Sequence, residues 1–204
     1  MNRNAYNPNS NNIPDVIFIL LIANALVFAL QKLLPGVFEQ YFALWPIDSY
    51  RGYFSVWQLF SYGFLHGDFY HILFNMFMLW MFGKELAIIM GPQKFLFYYL
   101  TCIMGAGIIQ LAIAGMQGLY YPTLGASGGV FGLLLAFGLA FPNRMVMLMF
   151  PPIPMKAKYL VILAGVMELY FGVSGTSPDI ANFAHLGGML FGFLLLKYWG
   201  ITRS

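Results

Sequence analysis

Serine, histidine and asparagine are the side chains in this sequence whose types and spacing could hydrolyse a bond, and all three sit inside strongly apolar segments. In PTLGASGGVFG (122–132) Ser127 stands among glycines at the head of a hydrophobic run. The stretch HGDFYHILFNMF carries His66, His71 and Asn75, and SPDIANFAHLGGMLFG carries His185. A serine hydroxyl attacks a carbonyl only when a neighbouring base takes its proton, and imidazole is the usual base. His71 and Asn75 are four residues apart and share one helix face. Each group also has a packing explanation, because Ser and Gly line transmembrane contacts and a lone His or Asn often bonds a neighbouring helix. Convergence at one depth is harder to explain as packing, and intramembrane ionisable groups are functional candidates by default.

That depth is set by the elements carrying them. The 204 residues are 60% hydrophobic, 19% aromatic and only 8% charged, with a mean hydropathy of +0.74. Soluble domains carry about 25% charged residues, so the composition implies an integral membrane protein. A net charge of +3 without a basic run or phosphate-binding loop gives no support to nucleic-acid binding, and one cysteine, Cys102, rules out a disulfide framework. Six segments are expected to span as helices, near 14–34, 69–90, 92–115, 126–141, 155–174 and 178–199. Pro92 and Pro178 suit first helical turns, and Asp68 suits a cap on the second span. The polar, Asn-rich residues 1–13 are expected to form a disordered cytoplasmic tail, leaving 14–204 as one membrane domain.

The cations orient the bundle. With the N-terminus in the cytoplasm, Arg3, Lys84, Lys94, Arg144, Lys156, Lys158, Lys197 and Arg203 fall on the cytoplasmic side and only Lys32 and Arg51 on the other. Both termini are then cytoplasmic, and the aromatic segment 35–68 lies in the outer headgroup region. The fourth span, from Ser127 to Phe141, covers about 22 Å at the helical rise, short of a hydrocarbon core about 30 Å thick. Ser127 is therefore left below the outer surface, and the loop GLYYPTLGA must dip to meet it. Irregular backbone at that depth requires burial in protein or a water-filled cavity. His71, Asn75 and His185 lie about 5–10 Å below the outer ends of their own spans. The pairs Gly128/Gly132 and Gly188/Gly192 form two G-x-x-x-G faces that let the fourth and sixth spans approach and bring His185 toward Ser127.

In these motifs the chain resembles the rhomboid family of intramembrane serine proteases. Gly125-Ala126-Ser127-Gly128 is similar to the family's G-x-S-G, Ala184-His185 with Gly188 and Gly192 to its A-H-x-x-G-x-x-x-G, and His66, His71 and Asn75 to its second-span motif. The resemblance covers nearly the whole chain from the first span on. It implies an all-α, six-helix bundle of bacterial type, with a short central fourth helix, that cleaves peptide bonds in or near transmembrane segments of other membrane proteins without cofactor or metal. The same resemblance makes Ser127 the nucleophile and His185 the base. It also sets His71, Asn75 and the Ser127 backbone N–H around the oxyanion, with Gly128 beside them and His66 and Gly188 in support. The membrane it suggests is the bacterial inner membrane, with the site toward its outer face.

No third triad member is evident: Asp179 faces away, Glu85 is cytoplasmic, and Glu168 cannot be set against the imidazole from sequence. A Ser127–His185 dyad is therefore expected. Phe131, where family members often have tyrosine, is expected to stack on His185. Gln58 follows Trp57 where many relatives have arginine, which should weaken the outer loop's internal hydrogen bonding. The glycine-containing loop 172–178 is expected to be a mobile cap, and the resemblance points to a lateral gate between the second and fifth spans. Three rivals stand beside this reading. A catalytically inactive rhomboid-like binder would normally lack Ser127 or His185. A transporter would show inverted repeats with broken helices in both halves. A metal or haem site on His71 and His185 lacks further ligands.

Overall fold

Proline, glycine and aspartate punctuate the chain where their backbone chemistry permits. A computed structural model of the protein describes residues 14–47, 53–118, 120–147, 152–176 and 181–201; the tail 1–13 lies outside them. Helix α1 spans Asp15–Leu33 and the short α2 and α3 span Val37–Phe42 and Gln58–Ser61, the last followed by a 3₁₀ turn over Tyr62–Phe64. Helix α4 runs Phe69–Met90, and the Asp68 carboxylate caps it by accepting from the His71 N–H at 2.9 Å. That hydrogen bond, more than any other influence, holds the Asp68 carboxyl below the ordinary carboxylate range. Gly91, at φ 78°, breaks the chain, and Pro92 begins α5, Pro92–Gln117. Helix α6 is Ser127–Ala140, α7 is Ala157–Ser174 and α8 is Asn182–Tyr198.

Several boundaries depart from the sequence reading. Residues 155–156, assigned to the fifth span, instead belong to a two-stranded antiparallel hairpin, β1 (Met145–Met147) with β2 (Pro154–Lys156), so the fold is not purely helical. Helix α8 starts at Asn182 rather than 178, its first backbone bonds returning from Ala184 and His185 to the Ala181 carbonyl; Pro178 and Asp179 lie outside the described residues. Of the six expected spans, α1, α4, α5 and α7 are long and apolar enough to cross a membrane. Helices α6 and α8, at 14 and 17 residues, are shorter. At about 1.5 Å per residue α6 covers about 21 Å.

The core is built around α5, whose Phe95, Tyr98, Tyr99, Cys102 and Ile103 are fully buried, and which packs on both α6 and α8. Helices α6 and α8 meet with backbone against backbone. A methyl group added at Gly188 would land on the Gly128 carbonyl, so only glycine admits this approach. The periphery differs: 11% of the apolar window of α7 is buried, against 28%, 39% and 44% for α1, α4 and α5. Near the other end of α4, the Arg144 Nη1 reaches both Glu85 carboxylate oxygens at 2.7 Å, tying the α6–β1 link to α4.

The segment between α1 and α4 does structural work at the mouth of the bundle. Leu44 and Thr123 exchange backbone hydrogen bonds at 2.9 Å in both directions, and the Gly125 N–H donates to the Tyr62 carbonyl at 2.9 Å. The Tyr62 hydroxyl donates in turn to the Ile103 carbonyl at 2.6 Å. The irregular strand leading to Ser127 thus has its polar backbone satisfied by protein, the condition for such backbone at membrane depth. Gln58 does not leave this segment loose. It is fully buried, accepts from the Trp45 N–H at 3.2 Å and donates to the Tyr53 and Tyr41 carbonyls at 2.7 and 3.3 Å. A neutral amide supplies both donor and acceptor to that knot, which a guanidinium cannot.

Candidate active site

Ser127 is the first residue of α6, and Gly125 two positions earlier has φ +129°, a conformation that side chains with a Cβ rarely adopt. A Cβ at Gly125 would also sit 2.7 Å from His71 Nε2. Glycine at 125 therefore lets the chain turn into the helix while the His71 ring lies beside it. The turn leaves the Ser127 hydroxyl 2.8 Å from His185 Nε2, across the close α6–α8 contact. Phe131, one turn after Ser127, stacks on His185 with ring centroids 4.3 Å apart and planes within 5°. The imidazole is held on one face by an aromatic ring and at one edge by a hydroxyl.

The other edge of His185 holds a finding the sequence reading missed. The Glu168 Oε2 from α7 lies 3.0 Å from His185 Nδ1, at ion-pair distance. The Asn182 amide, one turn before His185, donates to the same carboxylate oxygen at 2.7 Å. Glu168, which could not be set against the imidazole from sequence, is thus placed: three elements, α6, α7 and α8, bring hydroxyl, carboxylate and imidazole together. Nδ1 makes no aligned hydrogen bond, so the contact with Glu168 is one of charge and proximity. A signal was present in the sequence. An acid within a span needs a polar partner, and Asn182 and His185, three apart, present two on one helix face.

His71 and Asn75 line the same cavity from α4. The Gly67 N–H points to His71 Nδ1 at 3.4 Å, which makes Nδ1 the acceptor and leaves the proton on Nε2, beside Gly125. Asn75 spends one amide hydrogen on the His71 carbonyl at 2.9 Å and keeps a second. His66 is fully buried behind His71, edge to face at 5.1 Å. Burial first, and the neighbouring His71 second, push its imidazole down to about 3, so it stays neutral at physiological pH. Gly128 does not line the cavity; its Cα faces Ala106 and Gly188. Its backbone N–H nevertheless belongs to the first turn of α6, where helices have no internal acceptors for their N–H groups.

The cavity holds about 850 Å³ and is bounded by Asp68, His71, Asn75, Gln110, Ser127 and His185 together with the C-terminal end of α7. It is large enough for water and a peptide segment. Gly172 and Gly175 from the expected cap border it, with residues 172–174 helical and 177–178 outside the described residues. Helices α4 and α7 flank it but are not among the well-packed helix pairs.

A sequence model of the Rhomboid domain matches residues 53–200. The chain is 31% identical over 200 residues to "Rhomboid protein 1, mitochondrial" of Saccharomyces cerevisiae, covering 93% of this chain and 54% of that protein. It is 28% identical over 188 residues to the mouse "Presenilin-associated rhomboid-like protein, mitochondrial", covering 88% and 47%. It is also 28% identical over 192 residues to "Rhomboid protease GlpG" of Yersinia pestis, covering 92% and 62%. The chain spans about half to three-fifths of the length of these relatives. A domain match over most of the chain, joined to this arrangement of short central helix, apposed glycines and buried polar groups, places the protein in the rhomboid family of membrane proteins.

Proposed function

We propose that the protein is an intramembrane serine endopeptidase that hydrolyses peptide bonds in or near transmembrane segments of other membrane proteins. The observation carrying this reading is the 2.8 Å contact of Ser127 Oγ with His185 Nε2 in a cavity that His71 and Asn75 also line. In the first step His185 Nε2 takes the hydroxyl proton as Oγ attacks the scissile carbonyl carbon. The carbonyl oxygen becomes an oxyanion, and His71 Nε2–H, the free Asn75 amide hydrogen and the first-turn N–H of Ser127 are the donors that face it. The protonated imidazole then gives its proton to the leaving amine, and the C–N bond breaks. Water, deprotonated by the same Nε2, attacks the acyl-serine; the C–Oγ bond then breaks, Nε2 returns the proton to Oγ, and the acid is released. Membrane-protein substrates fit a site flanked by lipid-exposed side chains such as Phe69, Tyr70, Leu73 and Phe74 on α4. Helices α4 and α7 are not closely packed on one another, which supports lateral access between them.

Six crossings with both termini cytoplasmic complete this reading, with α6 and α8 as short spans. The relatives come from mitochondria and bacteria alike, so they lend no support to a bacterial inner membrane in particular. The test is reconstitution of purified protein in liposomes with a single-span substrate. Wild type should cleave while Ser127→Ala and His185→Ala, folded by thermal melt, should not. Cleavage surviving in Ser127→Ala would end the assignment of the nucleophile.

A further inference from the structure

Glu168 is the carboxylate that, among the described residues, stands against the His185 imidazole, and neither the family resemblance nor the dyad expectation gives it a task. Its helix, α7, is little buried and only Ala157 is fully so, yet at Glu168 it sends an acid inward. The acid is tethered: Asn182 donates to its Oε2 at 2.7 Å, and the same oxygen stands 3.0 Å from His185 Nδ1. A carboxylate is an acceptor only, so it can face Nδ1 favourably only when that nitrogen carries the proton. With the proton on Nδ1, the lone pair is left on Nε2, the atom 2.8 Å from the Ser127 hydroxyl. The other groups facing His185 cannot set that choice. Ser127 donates or accepts equally well, Phe131 offers only a ring face, and no lysine or arginine lines the cavity among the described residues.

Resting on the serine-hydrolase reading above, we propose that Glu168 is a positioning residue for His185: it selects the imidazole tautomer that can accept the Ser127 proton and stabilises the imidazolium formed once it has. Asn182 aims the carboxylate, by fixing the oxygen it shares with His185. The proton ledger is simple. The Ser127 proton moves to Nε2 and later leaves on the amine, while the Nδ1 proton remains opposite Glu168 throughout. Glu168 itself neither touches substrate nor exchanges a proton.

Two measurements test this. The first uses the wild-type protein with ¹⁵N-labelled histidine in detergent micelles at neutral pH, with His185→Ala to assign the signal. His185 is expected as the Nδ1–H tautomer; finding the Nε2–H form overturns the proposal, and no Glu168 variant has to fold for that answer. The second compares cleavage by Glu168→Gln and Glu168→Asp. Loss of an orienting acid from a catalytic imidazole can cost about 10⁴ in kcat. The contact here is unaligned, so a fall of about 10–10³-fold in kcat is expected for Glu168→Gln, with KM within about twofold. Glu168→Asp, which keeps the charge, should recover part of the loss. Wild-type kcat in Glu168→Gln overturns the proposal, and so does a change confined to KM. The tautomer reports the Glu168–His185 contact whether or not Ser127 is a nucleophile, so its failure is distinct from failure of the protease reading, which the Ser127→Ala variant reports.

Discussion

At the scale of single residues, the proposed mechanism divides its labour between groups that move protons and groups that wait for charge. Ser127 and His185 face each other along one hydrogen bond, while His71 and Asn75 reach the cavity from a different helix. Asn75 is 6% exposed and already spends one hydrogen on its own helix. Its second hydrogen therefore gains a full partner only when the substrate oxygen turns negative, which is the signature of differential binding. Asn75→Ala should lower kcat by about 10²–10³, the usual cost of one oxyanion donor, while leaving Ser127 reactive toward a small fluorophosphonate. Steady-state cleavage and labelling of one preparation check this. A kcat within threefold of wild type would remove Asn75 from the oxyanion site. The residue types were legible in the sequence because ionisable and amide groups are costly within a membrane. The partnership of Glu168 with His185 was not, because it depends on the rotation of α7 about its axis, and that helix has no buried stripe to fix its facing beyond Ala157.

At the scale of elements, the Ser127–His185 distance is a consequence of glycine packing. The Ser127–His185 contact spans α6 and α8, and the Gly188–Gly128 approach sets how near those axes come. Gly188→Ala would place its methyl on the Gly128 carbonyl, a rigid backbone atom that cannot swing aside as a side chain does. Overpacking of this kind costs about 1–3 kcal/mol, and the helices can relieve it only by separating. The variant should lose thermal stability by that order and lose cleavage beyond what its folded fraction explains. Thermal melts beside turnover at a permissive temperature read both, and full activity in a stable Gly188→Ala protein would refute the link between packing and chemistry. The two G-x-x-x-G faces and the short fourth span were readable from residue spacing alone. The hairpin of β1 and β2 was not: its strands are three residues each and carry no alternating pattern long enough to register. The start of α8 was displaced because proline suits a first helical turn but does not oblige a helix to begin there.

At the scale of the whole molecule, the arrangement of helices across the bilayer turns on α6. Its 14 residues cover about 21 Å, so it crosses only if the loop before it reaches down to meet it, which the Leu44–Thr123 and Tyr62–Gly125 backbone bonds allow. Val56 lies between α1 and α4, and Met147 lies between α6 and α7; both are exposed, at 73% and 60%. Besides the single-turn α3 and its 3₁₀ turn, three helices separate them, α4, α5 and α6. If all three cross, the two residues lie on opposite faces; if α6 turns back, they share a face. The single native cysteine, Cys102, is fully buried in α5, so the natural chain serves as a silent background for thiol labelling. Val56→Cys and Met147→Cys, each in sealed vesicles of known orientation, should react with a membrane-impermeant maleimide from opposite sides. The cation distribution adds the sign, with Met147 on the side of Lys84, Lys94 and Arg144 and Val56 on the other. Labelling of both from one side would mean that α6 does not cross. The hydroxyl at its head would then lie at a different depth from His185, and the positive-inside argument would have to be redrawn from α7 onward.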